Sequence, residues 1–284
     1  MVNLLQETKQ LCDLYHIKPT RSRGQNFLIN EAVYQKVIDT AELKPADTVL
    51  EVGPGLGFLT MLLAERAKAV TAVELDQKLA ETLKLRLEMK EIKNVGVINA
   101  NILDWPKINR LPKTLLTEKY KIVANLPYNI TSIFLRKFLG GEHQPQTMTL
   151  MLQKEVAERL AARPGEMSLL ALSVQFYAEA KVVATVDKRD FWPEPAVQSA
   201  IVKLVIKKKP PLAALETKDF FRLLKFGFSA KRKMLKNNLG GGLKISASEA
   251  ESYLTKIGLK PTCRPQDLSL EEWLKLFKEF QEKL

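Results

Sequence analysis

Asn125-Leu126-Pro127-Tyr128 stands at the end of an apolar run, KIVANL, and groups two hydrogen-bond acceptors with an aromatic face. An aromatic amine is a poor nucleophile because its lone pair is delocalised into the ring. Acceptors placed around its protons pull the nitrogen toward a tetrahedral geometry and localise that pair. The side-chain oxygen of Asn125 is one such acceptor. The Leu126 carbonyl is a second, held extended because a residue before proline avoids the α region. Tyr128 offers a ring on which a flipped adenine can stack, and extrusion of the base is what base-modifying enzymes require. A plain strand-end turn is the competing reading of the tetrapeptide taken alone.

A second constellation is Glu51-Val-Gly53-Pro-Gly55-Leu-Gly57, directly after an apolar run and before a helical pattern. Glycines there let the backbone turn sharply and approach a ligand at the carboxyl edge of a sheet. The dinucleotide fingerprint would need a third glycine at position 58, which is Phe58. With glycines at 53, 55 and 57 and Glu51 two residues before the first, the loop resembles the methyltransferase version of the motif, which implies a nucleoside joined to an amino acid rather than a pyrophosphate. Glu74 lies 21 residues beyond Gly53, at the end of the next strand, where a carboxylate can accept both ribose hydroxyls. The alternative for Glu74 is a solvated strand-end acid. Asn101, past the third strand, has an oxygen that can accept from the amine of an adenine. Phe191-Trp192-Pro193-Glu194-Pro195 is a stiffened aromatic cluster. Phe191 can close the second face of a target base, while loop packing suits Trp192 better.

These residues need a sheet to bring them to one edge. Thr48–Gly53, Ala69–Leu75, Val95–Ala100, Lys121–Leu126 and Thr147–Leu152 read as strands. They alternate with helical patterns at Phe58–Ala67, Gln77–Lys90 and KEVAERLAA. Such alternation predicts βαβ units and a mostly parallel sheet covered on both faces. Val182–Val186 and Ser199–Ile206 are expected to form an antiparallel edge. Residues 2–15 and Glu31–Leu43 are helical extensions, with the basic stretch Lys18, Arg21, Arg23 and Gly24 between them. After Lys207 the strand signal stops and helices follow. The expectation is an α/β, Rossmann-like catalytic domain over 1–207 and a small all-helical domain over 208–284.

Lys and Arg number 44 against 32 Asp and Glu in the 284 residues, a net charge of +12. An excess of this size favours a polyanionic partner through phosphate contacts and counterion release. The cluster Lys231, Arg232 and Lys233 with Lys236 is the local candidate for an RNA-backbone contact, against the alternative of a solvated helix face. Cys12 and Cys263 have no ligand-spaced neighbours, so neither a metal site nor a disulfide framework is expected. No apolar run reaches membrane-spanning length, and a cytoplasmic protein without a membrane partner is expected.

Taken together the motifs resemble the ribosomal RNA adenine dimethylase family. The resemblance runs from about Arg23 to Leu276. It is carried by GQNFL at 24–28, EVGPGLG at 51–57, VELD at 73–76, NLPY at 125–128 and QKEVAERLAARPG at 153–165. FWPEPAVQSAIVKL at 191–204, FSAKRKMLKNNL at 228–239 and RPQDLSLEEW at 264–273 complete it. The resemblance implies a methyltransferase sheet that binds S-adenosyl-L-methionine and releases S-adenosyl-L-homocysteine. It implies that Asn26 and the Leu28 backbone hold the methionine end with Gly53 beneath it, and that Gln25, Glu51, Gly55, Gly57 and Asn125 also belong to the cofactor site. Glu74 would take the ribose and Asn101 the adenine. Asn125, Leu126 and Pro127 would hold the substrate amine, with Tyr128 and Phe191 stacking. The implied reaction is N6,N6-dimethylation of two adjacent adenosines in a 3′-terminal hairpin loop of small-subunit rRNA. The implied partner is an immature ribosomal subunit, met by a monomer. Asn101 stands where the family usually has Asp, and Leu169-Leu170-Ala171 replaces a usual Tyr-Gly-Arg. A large-subunit rRNA methylase of the macrolide-resistance type and a non-catalytic rRNA-binding assembly factor are the alternatives.

Overall fold

In this computed structural model, which describes residues 3–20 and 25–284, two capped helices precede the sheet. Arg21, Arg23 and Gly24 lie outside the described residues. Helix α1 (Leu4–Leu14) begins where the Asn3 side chain accepts the Leu5 N–H. The short strand β1 (Phe27–Leu28) follows, then α2 (Glu31–Ala41), where Asn30 accepts the Ala32 N–H. Strands and helices then alternate as β2 (Thr48–Val52), α3 (Phe58–Arg66), β3 (Ala69–Glu74), α4 (Gln77–Met89) and β4 (Val95–Asn99). After these come α5 (Thr114–Thr117), β5 (Tyr120–Asn125), α6 (Thr131–Leu139), β6 (Thr147–Gln153), α7 (Lys154–Leu160) and α8 (Leu169–Tyr177). Three strands close the series, β7 (Ala178–Val186), β8 (Phe191–Trp192) and β9 (Ser199–Ile206). Only helices remain: α9 (Ala214–Gly227), α10 (Leu235–Leu243), α11 (Ala247–Lys256) and α12 (Leu270–Glu279). Among the described residues no helix is long and apolar enough to cross a membrane.

The chain divides into two compact units, Met1–Ala157 with Ala180–Ile206, and Glu158–Glu179 with Lys207–Leu284. The first carries a seven-stranded sheet in the order β4-β3-β2-β5-β6-β9-β7. Pairings β2–β3, β2–β5, β3–β4 and β5–β6 are parallel. All five residues of β2 are buried, which is why its sequence shows no alternation of apolar and exposed polar positions. Strand β9, expected at the edge, is an inner strand antiparallel to β6, and β7 takes the edge beyond it. Its first four residues are all buried, a pattern that an edge strand facing water does not need.

The order reverses at β2. The chain builds β3 and β4 on one side of it, then returns to place β5 and β6 on the other. A crevice opens outside the carboxyl ends of the strands at such a reversal. The glycine turn sits there, with Gly53, Gly55 and Gly57 at φ +66°, +57° and +86°. Gly57 also ends against α4, where a Cβ would lie 2.3 Å from Leu83 Cδ1. Helix α4 is started by Asp76, whose side chain accepts the Lys78 and Leu79 N–H groups. It buries Leu79, Leu83, Arg86 and Leu87 on one face, the i, i+4, i+7, i+8 spacing of an amphipathic helix.

The second unit is built around Phe176, Phe220, Leu224, Leu239, Trp273 and Phe277, all essentially inaccessible. Helix α12 presents Trp273, Leu276 and Phe277 to that core. Its start is a reciprocal cap in which Ser269 Oγ accepts the Glu272 N–H and Glu272 accepts the Ser269 N–H. The sequence expectation of one domain over 1–207 is corrected at Glu158–Glu179. Helix α8 there stacks Phe176 on Phe220 with ring centroids 5.3 Å apart. Its apolar residues are therefore part of the helical core, while the strands on either side of it in sequence belong to the sheet.

Gly57→Ala is expected to lower stability by about 1–3 kcal/mol, because it combines a left-handed φ with a Cβ that meets the fully buried Leu83 side chain. Urea unfolding of the two proteins side by side checks this.

Candidate active site

The parallel strands deliver their carboxyl ends to one cleft. From β2 it takes Glu51, Gly53 and Gly55, and from β3 it takes Glu74, Leu75 and Asp76. The segment after β4 adds Asn101 and Ile102, β5 adds Asn125 and Pro127, and Gln25, Asn26, Phe27 and Leu28 complete the wall. Every expected cofactor residue except Gly57, which ends the glycine turn as the N-cap of α3, therefore lines one cavity.

Two acids face each other across the loop with different environments. Glu51 is 1 % exposed, and neither carboxyl oxygen has a hydrogen-bond partner. Burial pushes its carboxyl up to about 8, with a smaller upward push from Glu74. The nearby Thr60 hydroxyl offsets part of this. Glu74 is also raised by burial, but it is better held. Its two oxygens accept the Gly55 N–H at 3.1 Å and the Asp76 N–H at 2.9 Å. It thus stitches the end of β3 to the glycine turn.

The amine-facing residues also converge. Asn125 ends β5, and Leu126 is buried with its N–H on the Met151 carbonyl at 3.2 Å. Pro127 packs beneath the turn, its Cδ 3.6 Å from where a Gly53 Cβ would stand. Tyr128 follows, half-buried, with its hydroxyl 2.6 Å from Ser199 Oγ. Burial raises the phenol, and the Ser199 bond lowers it in part.

Several expected residues are placed differently. Phe191 is 3 % exposed and lies in the core cluster with Leu28, Tyr34 and Met151. The antiparallel β1–β8 pair sets it opposite Leu28, so it offers no ring face to a stacking base. The Leu28 carbonyl is taken by the Tyr34 hydroxyl at 3.0 Å. Asn101 is at the cleft, but its Oδ1 caps the following turn by accepting the Leu103 N–H at 3.0 Å, because a residue in extended conformation before a helical turn is well placed to do so. In the second unit Lys231, Arg232 and Lys233 are exposed in a turn before α10 rather than on a helix face. Lys236 instead pairs with Glu251 at 2.6 Å.

Other contributors carried weaker signals. Ser199 starts a strand and nothing in its spacing marks it. Asn99 donates to the Glu74 and Leu75 carbonyls, fixing the acid's backbone. Arg86 did leave a trace, as a charge on the apolar face of α4; it donates to the Leu56 carbonyl inside the glycine turn and pairs with Glu7 of α1.

A sheet of this order, with a glycine turn and an acid at the reversal, defines an S-adenosylmethionine methyltransferase fold. Solved structures of similar shape agree. One is the 23S rRNA methyltransferase ErmE, with a TM-score of 0.73 and 30 % identity over 90 % of this chain and 100 % of that one. Another is a dimethyladenosine transferase from Plasmodium falciparum, with a TM-score of 0.74 and 28 % identity over 90 % and 98 %. Among curated relatives, the ribosomal RNA small subunit methyltransferase A of Dehalococcoides mccartyi strain CBDB1 is 43 % identical over 98 % of this chain and 94 % of its own. That of Geobacillus sp. strain WCH70 is 36 % identical over 96 % of each. The family model for ribosomal RNA adenine dimethylase matches residues 17–282. The chain belongs to the ribosomal RNA adenine dimethylase family.

The raised Glu51 carboxyl gives the cofactor-free protein a specific pH dependence. Below the ordinary value of 4.5 both folded and unfolded chains hold the proton. Between there and about 8 the unfolded chain ionises while the folded one does not, so this group's contribution to stability falls as pH rises and then levels off. Glu51→Gln is expected to flatten that slope, by on the order of 1 kcal/mol per pH unit inside the window. Urea midpoints measured from pH 5 to 8 check it.

Proposed function

We propose that this chain transfers methyl groups from S-adenosylmethionine to N6 of two adjacent adenosines in small-subunit rRNA, within an immature subunit. One observation carries the reading: Asn125 and Pro127 stand at the end of β5, immediately beside the glycine turn of β2. An acceptor for an amine and a loop for a nucleoside ligand thus share one cleft.

The cleft's chemistry fits such a cofactor. The buried Glu51 carboxyl without a partner is what the ammonium of an amino acid would satisfy. Glu74 retains lone pairs for ribose hydroxyls, since each oxygen accepts one backbone N–H. Leu75, Ile102 and Ile130 supply apolar wall for a purine. Bound there, the cofactor supplies a methyl group already activated for transfer. The residues of the chain then orient the acceptor. Asn125 Oδ1 and the Leu126 carbonyl accept the N6 protons, which localises the lone pair. Tyr128, steadied through Ser199, stacks on the extruded base. Acceptors fixed before the reaction need no reorganisation when charge develops on the amine. In Asn101 the amide Nδ2 remains for an adenine ring nitrogen, a donor's role in place of the acceptor's first expected of it.

The exposed turn of Lys231, Arg232 and Lys233 is proposed as a phosphate contact. Its release of counterions would add to the attraction of the +12 net charge. The relatives named for the small subunit are 36–43 % identical to this chain, against 30 % for the 23S enzyme, which favours the small subunit as target.

Incubation with labelled S-adenosylmethionine and immature small subunits, followed by digestion to nucleosides, is expected to give N6,N6-dimethyladenosine. Label confined to large-subunit RNA would move the chain to the other substrate class, and RNA binding without transfer would make it an assembly factor. Asn125→Ala is expected to reduce transfer by at least about a hundredfold, while calorimetry still shows S-adenosylhomocysteine binding. Replacing Lys231, Arg232 and Lys233 together by alanine should weaken RNA binding and shallow its salt dependence, by up to roughly one unit of slope per lost phosphate contact. An unchanged slope would return those residues to the role of solubilising charge.

A further inference from the structure

The glycine turn is held from outside the cleft as well as from within it. On the cleft side Glu74 accepts the Gly55 N–H at 3.1 Å. On the opposite side the Arg86 guanidinium donates through one nitrogen to the Leu56 carbonyl, the peptide between Gly55 and Gly57. Its other nitrogen meets Glu7 Oε1 at 3.0 Å, and its carbon lies 4.8 Å from the centroid of the Phe58 ring. Arg86 is 5 % exposed, so burial is tolerated only while these partners remain.

Glu7 belongs to α1, which pairs with no strand. Its apolar residues Leu11 and Cys12 pack in one cluster with Phe27, Leu56 and Leu79. Helix α1 therefore reaches the turn twice, through the Leu56 side chain and through the charge relayed to the Leu56 carbonyl.

We infer that Arg86 and Glu7 are positioning residues for cofactor binding: α1 clamps the glycine turn, through the Glu7–Arg86 pair, in the shape that receives S-adenosylmethionine. The inference rests on the cofactor proposed above. A turn with three left-handed residues has many alternative conformations once its carbonyl anchor is lost. The remaining ties hold N–H groups of the turn, Gly53 to the Val73 carbonyl at 3.0 Å, Gly57 to the Pro54 carbonyl at 2.9 Å and Gly55 to Glu74, and none of them holds the Leu56 carbonyl. Loosening would displace the ligand-facing amides without removing any group that touches the ligand.

The test uses the full chain and S-adenosylhomocysteine, with affinity read by calorimetry and amide exchange followed in the cofactor-free protein. Arg86→Met, which keeps the apolar length, is expected to raise Kd about tenfold or more and to speed exchange at 53–57 while β6 stays protected. In activity assays it raises the KM for S-adenosylmethionine and leaves the KM for RNA unchanged. Glu7→Gln, which removes the charge of the partly buried pair but keeps the side-chain length, is expected to raise Kd about threefold in the wild-type background and to have no effect in the Arg86→Met background. Phe138→Leu, in a separate aromatic cluster of the sheet unit, lowers Tm without changing Kd, which separates positioning from general stability. Should Arg86→Met fail to fold, Glu7→Gln and Arg86→Lys carry the same comparison. A Kd within twofold of wild type in these variants, with wild-type binding intact, overturns the clamp alone. Absence of binding by the wild-type chain would overturn the cofactor assignment and the clamp with it.

Discussion

A parallel sheet covered on both faces leaves its polar chemistry few places to go, and the reversal of strand order between β2 and β5 settles which. Within the body of the sheet, Val49, Leu50, Ile122 and Val123 are fully buried. The backbone groups there are spent on the ladder. Only past the carboxyl ends do N–H groups, carbonyls and side chains become available to a ligand. Between β2 and β5 no crossover helix fills the space, so the glycine turn and Asn125 face the same opening. Glu51 is the exception that tests the rule. It lies within β2 itself, and its burial favours the neutral form.

Around this opening the chain brings together segments far apart in sequence. Strand β1 pairs with β8, the Ile29 N–H donates to the Asp190 carbonyl and Asn30 donates to the Asp190 side chain. The wall formed by Gln25–Leu28 is thereby tied to the aromatic–proline segment. Gln25 adds a tie of its own, accepting the Thr20 N–H and donating to Asp76 at the start of α4. Tyr128 and Ser199 join the end of β5 to the start of β9. These are connections between supports rather than contacts to a ligand, and they hold the facing groups in register.

Periodicity and glycine spacing were enough to foresee the central strands, since apolar runs bounded by glycine or acid have few other solutions in an alternating chain. The same reasoning placed Glu51, Glu74 and Asn125 at one edge, because parallel strands deliver equivalent ends to the same side. What escaped it was the destination of individual side chains. Phe191 belongs to a motif that reads as exposed and aromatic, yet its strand pairing turns it into the core. Asn101 occupies the expected place, but a local N–H takes its oxygen. Helix α8 shares its apolar composition with the strands around it, and only the partners supplied by α9 and α12 decide that it belongs to the helical core. Lys236 carries the same charge as its neighbours, and its distinction is an acid from a different helix. Each of these depends on contacts between residues distant in the chain, which local pattern does not encode.

The placement of α8 has a consequence for the birth of the protein. During synthesis this helix is made before β7 and β9, and well before α9 to α12, which supply Phe220, Trp273 and Phe277 to its core. Until they emerge, Leu172 and Phe176 have no completed core to enter. Meanwhile β9 must insert beside β6 before the sheet is whole. All of the sheet unit is therefore made before the helical unit can be completed. A nascent chain stalled after β9 would hold an assembled sheet with an orphaned apolar helix, the kind of surface that chaperones recognise and proteases cut.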